Sequence, residues 1–346
     1  MKGPRLTLCF LALAVCSLTA ARLAARWEAL LAPPPGGGVL LRAQASDGEE
    51  DAEEEAEEEE YTSRETRTEA GTAQRTWRQG NSLNAEYRFV NFNKDRVTVS
   101  FSMKAPDYRR YLAGYGYTDA DLAALKSWRE SARQAAWQKG WAAGGKPAAE
   151  RAIAGVDTEY DTRLRGLLRS RGMAMRAGNI VECDVPLIVK RNVDLMRPLA
   201  AALDRTSSER SWSEEDLVGA ALSLVQTAVR YKVPPSREGG LHTGGLLPPA
   251  RTLLSGWGDC DTKSALLASV LGNWKGLRMV GIAVPGHYLM AIRRLPGKGD
   301  VFVRYEGLEY VLVEPAGPAW LEPGTVGAAT TDLLAGAEGY RVEPFF

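Results

Sequence analysis

The chain has 346 residues, 45% hydrophobic and 25% charged, a composition suited to one large globular domain or two ordinary ones. Its formal net charge of zero conceals an asymmetry, since residues 1–60 carry five basic and twelve acidic side chains and the remainder 38 basic and 31 acidic. That mild basic surplus, with no basic cluster interleaved with aromatics, argues against a nucleic-acid partner.

Lys2 and Arg5 precede an apolar run over residues 6–21 that ends in small side chains. This is the layout of a secretory signal peptide, with an uncleaved membrane anchor as the alternative and Cys16 as a weaker candidate for lipid attachment. Residues 22–75 read as an acidic tether, because ten of the twelve positions 49–60 are Asp or Glu and such a run cannot bury a core. The protein is therefore expected to be exported, with a membrane tether through the N-terminus if the apolar run is retained.

Residues 76–205 are expected to form an α/β module. Residues 84–92 and 96–103 alternate around Asn93, Lys94 and Asp95 and predict a β-hairpin. Thr118 with Asp121 resembles a capping box and opens a helix to about residue 143; a second helix is expected over 148–171. Trp137 and Trp141, at helical spacing, read as core rather than as a ligand platform. Residues 179–189 alternate as a strand containing Cys183. If the leader is removed, Cys183 and Cys260 are the only thiols left, so a bridge between them is the alternative to two free thiols.

Ser213 with Asp216 predicts a helix over 214–231, and the Pro/Gly-rich segment 232–249, which holds His242, predicts a surface loop. The stretch GWGDCDTKSALLASVL that follows organises the rest. Gly256 and Gly258 allow a sharp turn, Asp259 is an N-cap, and Cys260 falls at the first helical position, where the unpaired amides and dipole favour a thiolate. Asp259 and Asp261 flank the sulfur and work against that form. Downstream, 277–284 reads as a strand broken by Pro285 and Gly286. His287 begins a second strand, and a further pair over 300–305 and 309–313 ends at Glu314. Two histidines and four cysteines are too few for the usual zinc spacings, and no HExxH, nucleophile elbow or Walker loop occurs. No metal or cofactor is expected, and any chemistry is expected to run through cysteine.

The succession GDCDTKSALLASVL, then GHYLMAI, then YVLVEPAG resembles the transglutaminase-like superfamily of papain-type cysteine enzymes over residues 205–320. Residues 77–205 carry no such resemblance. The resemblance implies a papain-like α+β domain over 206–346, with the nucleophile helix packed on an antiparallel sheet that carries the base. It assigns Cys260 as nucleophile, His287 as base and then acid, and Glu314 as the group that orients the imidazole, where the family usually has Asp. The implied activity is acyl transfer, foremost hydrolysis of a peptide or isopeptide bond in the bacterial envelope or periplasm, on a protein or peptide substrate. Cross-linking of glutamine to lysine by the same chemistry, or a binding scaffold that has lost turnover, are the alternatives; oligomeric state stays open. The Cys260 amide is one natural oxyanion donor, and the Trp257 indole is a candidate second, with packing as its other reading.

Overall fold

Two strands lie inside the segment that reads as tether. The structure, a computed structural model, describes residues 64–68, 72–317, 319–336 and 339–345; the leader, Cys16 and the acidic run fall outside these. Strand β1 (Arg64–Thr68) pairs antiparallel with β2 (Thr72–Gln79), so the expected tether ends before residue 75. Ladder pairing satisfies the backbone whatever the polarity of the side chains, and the β-branched threonines suit it. Thr72 and Gln74 are buried.

The predicted hairpin is present as β3 (Ser82–Val90) and β4 (Arg96–Lys104), with Val90 opposite Arg96 and Lys94 at a positive φ of 65° in the turn. The four strands form one meander in the order β1-β2-β3-β4, and Leu83, Ala85, Tyr87 and Phe89 alternate into the core. Helix α1 (Ala105–Leu112) and the short β5 (Tyr117–Thr118) lead into α2 (Asp119–Ser170). The capping box at Thr118 and Asp121 forms as read. Non-helical angles at Gly144 and Gly145 divide α2 into two antiparallel arms. Asp157 accepts from Arg129 and Arg133 across them, and Arg163 covers the Trp128 ring at 3.9 Å. The arms bury little, because each has only the other to pack on beyond the base. Trp137 and Trp141 are consequently exposed near the turn, not core.

Strands β6 (Met173–Met175) and β7 (Val181–Cys183) pair, and then α3 (Val185–Asn192) takes residues 185–189 of what alternation assigns to a strand. Asp184 decides this: its carboxylate accepts from Leu187 N at 3.1 Å, and Pro186 sits in the first turn, where no amide is needed. Helix α4 (Arg197–Arg210) precedes α5 (Glu214–Ser223), which starts at the expected Ser213/Asp216 box. The helix does not continue to residue 231. It widens into a π-turn (Leu224–Ala228) and gives way to β8 (Arg230–Tyr231). Strands β9 (Arg237–Glu238) and β10 (Leu241–His242) lie in the predicted loop. Helix α6 (Pro249–Ser255), β11 (Trp257–Gly258) and α7 (Cys260–Leu271) follow.

The remaining strands, β12 (Met279–Val284), β13 (His287–Arg293), β14 (Phe302–Tyr305) and β15 (Leu308–Val313), are followed by α8 (Ala328–Ala335) and β16 (Arg341–Pro344). They form an antiparallel sheet in the order β14-β15-β13-β12-β16. Tyr288, Met290 and Ile292 face the main core with α7, while Leu289, Ala291 and Leu312 pack under Leu333 of α8. The class is mixed α+β, with antiparallel principal sheets. The main core joins Leu83, Phe101, Ile188 and Leu203 to Leu222, Leu267 and Met290, so no gap in packing falls at residue 205.

One glycine carries an early test. Gly256 closes α6 with a φ of 73°, and a Cβ there would lie 1.8 Å from the Gln74 side-chain oxygen. Gly256→Ala is expected to lower the unfolding free energy by about 2 kcal/mol or more, the left-handed penalty plus displacement of Gln74, measured by urea denaturation.

Candidate active site

Helix α7 presents no polar stripe to solvent: every residue from Thr262 to Leu271 is buried, the polar Thr262, Lys263, Ser264 and Ser269 included. Its N-terminus is the part that reaches solvent. There Asp259 Oδ1 and Asp261 Oδ1 accept from the Thr262 amide at 3.4 and 2.8 Å, and half-buried Cys260 opens onto a cleft of about 610 Å³. Ser264 Oγ donates to the Cys260 carbonyl at 2.7 Å and lies 3.4 Å from the Tyr288 carbonyl, tying the helix start to the strand that bears the histidine.

His287 is the first residue of β13, opposite Val284 across the turn at Pro285 and Gly286. Its Nε2 is 2.9 Å from Glu314 Oε2, which leaves Nδ1 for the sulfur. Burial opposes a charge on the ring, but hydrogen bonds to Cys260 and Glu314, with the charge of both, outweigh it and raise the His287 pKa to about 10. The imidazole is therefore held as a cation at neutral pH. The three distant segments meet as the sequence pattern requires.

Glu314 is oriented in turn by groups that no motif marks. Oε2 also accepts from Thr330 Oγ1 of α8 at 2.9 Å, and Oε1 accepts from the Ala316 amide at 3.2 Å. Gln226 Nε2 donates to the Glu314 carbonyl at 2.7 Å and to Leu321 O at 3.0 Å, while its Oε1 accepts from Leu321 N. The π-turn carries this buried glutamine, and such single-turn bulges recur at functional sites. Thr330→Val is expected to slow alkylation of Cys260 about tenfold, since a hydrogen bond to a charged group is worth about 1.5–3 kcal/mol and Glu314 keeps its other two contacts. Rates measured with iodoacetamide check it.

The carboxylates beside the sulfur oppose it less than their charge suggests. Burial, and then a hydrogen bond to Asp259, holds the Asp261 carboxyl well above the usual carboxylate range. The donor atoms of Asp259, Cys260 and Asp261 lie within 4.8 Å of one another. Those atoms have partners already: the carboxyls with each other and the Thr262 amide, the sulfur with His287. Directly behind, Lys263 is fully buried and its Nζ has no hydrogen-bond partner. Burial lowers its pKa to about 7, against the pull of Glu314.

Cys183 lines the same cleft, and both cysteines are free thiols, so the bridge between them is not made. Cys183 donates to the Thr243 carbonyl at 3.3 Å, and burial, followed by the charges of Asp261 and Asp259, pushes its pKa far up. Glu182 and Glu343 on the far wall are neutralised by Arg176 and Arg341, at 2.6 to 2.9 Å. Trp257 is not part of the cleft lining; its ring lies under Lys232 Nζ at 4.3 Å. Tyr231, opposite Gly258 in the β8–β11 pair, is likewise outside the cleft lining. Its phenol is raised by burial and then by the charge of Cys260. His242 pairs with Asp119 at 2.8 Å and stacks on Tyr117, outside the cleft lining.

Comparison of the chain with protein-family models, characterised proteins and solved structures gave no match.

Proposed function

We propose that the chain is a thiol-dependent acyl-transfer enzyme, a cysteine peptidase or amidase of the transglutaminase-like kind, exported to the cell envelope. One observation carries the reading: the His287 imidazole bridges Cys260 and buried Glu314 at the wall of an open cleft. Export rests on the leader pattern of residues 1–21.

In this reading the Cys260 thiolate attacks an amide carbonyl, and the oxyanion is met by the Cys260 amide at the helix start. The His287 cation passes its proton to the departing nitrogen as the C–N bond breaks and a thioester forms. Neutral His287 then takes a proton from water, the hydroxide adds to the thioester, and the thiolate leaves beside the restored imidazolium. Glu314 keeps the ring in place and offsets its charge throughout. An amine in the place of water gives cross-linking by the same steps.

The test is trapping. A p-nitrophenyl acyl ester is expected to leave a thioester on Cys260, located by mass spectrometry and removed by hydroxylamine, with formation dependent on His287. A fluorescent primary amine added to the same reaction separates hydrolysis from transamidation. An adduct absent from Cys260, or formed equally in His287→Ala, defeats the enzyme reading. If Cys260→Ala supports every cellular role of the parent, the domain serves as a binding scaffold.

A further inference from the structure

The two arms of α2 leave the body at β5 and β6 and have no other substantial neighbour among the described residues. With 52 residues folded back on themselves, the hairpin reaches roughly 35 Å at 1.5 Å rise per residue. Close to its turn Gly140 lies directly against Ala149, so the arms touch backbone to backbone there and the end is stiff.

On that end stand Trp137 and Trp141, 38% and 53% exposed, with ring centroids 5.5 Å apart. Other indoles of the fold have a covering group: Arg163 over Trp128, Lys232 over Trp257, Phe92 and Lys94 on Trp320. The tip pair has no such cover beyond each other among the ring contacts of the described residues. The surrounding positions are chemically selective. Residues 131–149 contain no Asp or Glu, but they contain Arg133, Lys139, Lys146 and a series of alanines. Arg133 is engaged by Asp157 and Lys146 by Glu150 at 3.7 Å, one turn inward, so Lys139, in no ion pair among the described residues, sets the positive sign of the tip, and Lys146, in a solvent-exposed pair, adds to it.

We infer that the end of this hairpin is a membrane-contact site, in which two indoles and two lysines dock on a lipid surface bearing anionic headgroups. An indole has an apolar body and a polar N–H, and it favours the headgroup level over either bulk phase; ammonium groups on flexible stems reach phosphates from the same depth. Small apolar area with positive charge requires both attractions together, so contact depends on anionic lipid and weakens in salt. No helix among the described residues is long and apolar enough to cross a membrane, so the contact is superficial. This site is independent of the acyl-transfer reading.

Flotation of the full chain with phosphatidylcholine vesicles containing about 30 mole per cent phosphatidylglycerol tests it, at about 0.1 M and about 0.5 M salt. Trp137→Ala/Trp141→Ala and Lys139→Glu/Lys146→Glu are each expected to reduce the bound fraction at least fivefold. The parent should bind neutral vesicles and high-salt samples correspondingly less, and its indole emission should shift to the blue with anionic vesicles only. Alanine is a good helix former and the positions are exposed, so melting temperatures should not change. Equal binding of parent and both variants means that the N-terminal segment, not the hairpin, holds lipid, and overturns the proposal. So does a parent that stays unbound. A tryptophan variant that alters sedimentation of the lipid-free protein while leaving vesicle binding intact makes the tip a protein interface instead.

Discussion

His287→Asn is expected to slow carboxamidomethylation of Cys260 at pH 7 by about tenfold or more, because the variant removes the neighbouring cation that favours the reactive thiolate form. The parent ring stays cationic up to about 10, so the alkylation rates of parent and variant should differ most near neutral pH and converge as pH passes about 10. Cys183, buried and with its pKa pushed far up, should remain unlabelled in both. Turnover on any amide should fall further, by about 10²–10⁴, since the variant also loses the proton donor to the leaving nitrogen. Identical alkylation profiles for parent and variant would show that sulfur and ring are uncoupled, and the proposed chemistry would go with them.

Lys263→Met is expected to raise the unfolding free energy at pH 7 by on the order of 4 kcal/mol, because the parent buries an amine that has no hydrogen-bond partner. Its pH signature is more diagnostic. With a native pKa of about 7 against 10.5 unfolded, Lys263 leaves the native state holding fewer protons across that interval, so its contribution to stability improves as pH rises. His287 does the opposite: native near 10 against 6.5 unfolded, its stabilisation is complete below about 6.5 and is lost on the way up through 10. The two slopes are about +1.4 and −1.4 kcal/mol per pH unit and overlap between about 7 and 10, so they nearly cancel in the parent. Subtracting the parent's urea-denaturation profile removes the other titrating groups. Lys263→Met should then show a falling difference and His287→Asn a rising one. Parallel profiles would mean that neither group is perturbed as its surroundings dictate.

A single group of residues links these expectations. Glu314 accepts from His287 and Thr330, is held at its carbonyl by Gln226, and exerts its charge on Lys263. Changing any of the four should therefore alter the pH profile of Cys260 as well as stability.

Local chemistry made parts of this legible beforehand. The Asp259 cap, the capping boxes at Thr118 and Ser213, and the hairpin around Lys94 each depend on residues within four positions of one another, and all are present. Cys260, His287 and Glu314 were readable because each sits at an element end that its own neighbours specify. Where another contact, local or tertiary, outbid the periodic pattern, the reading failed. Alternation over 179–189 lost to the cap at Asp184, and the helix expected to reach 231 opened into a π-turn whose glutamine bonds a loop nearly ninety residues away. Trp137 and Trp141 followed the core periodicity, yet they stand exposed near the turn at Gly144 and Gly145.

The amino-acid order by itself determined that a thiol would stand at a helix start, with an imidazole and a carboxylate at two strand ends, because caps, turns and periodicity act over a few residues. Tertiary structure alone decided that the three meet in one cleft, and that Thr330, Gln226 and Lys263 stand behind them while Trp257 stands aside. It also decided that a tryptophan pair stays in solvent. Those outcomes turn on distance and burial between segments far apart in the chain, quantities that no short window of residues contains.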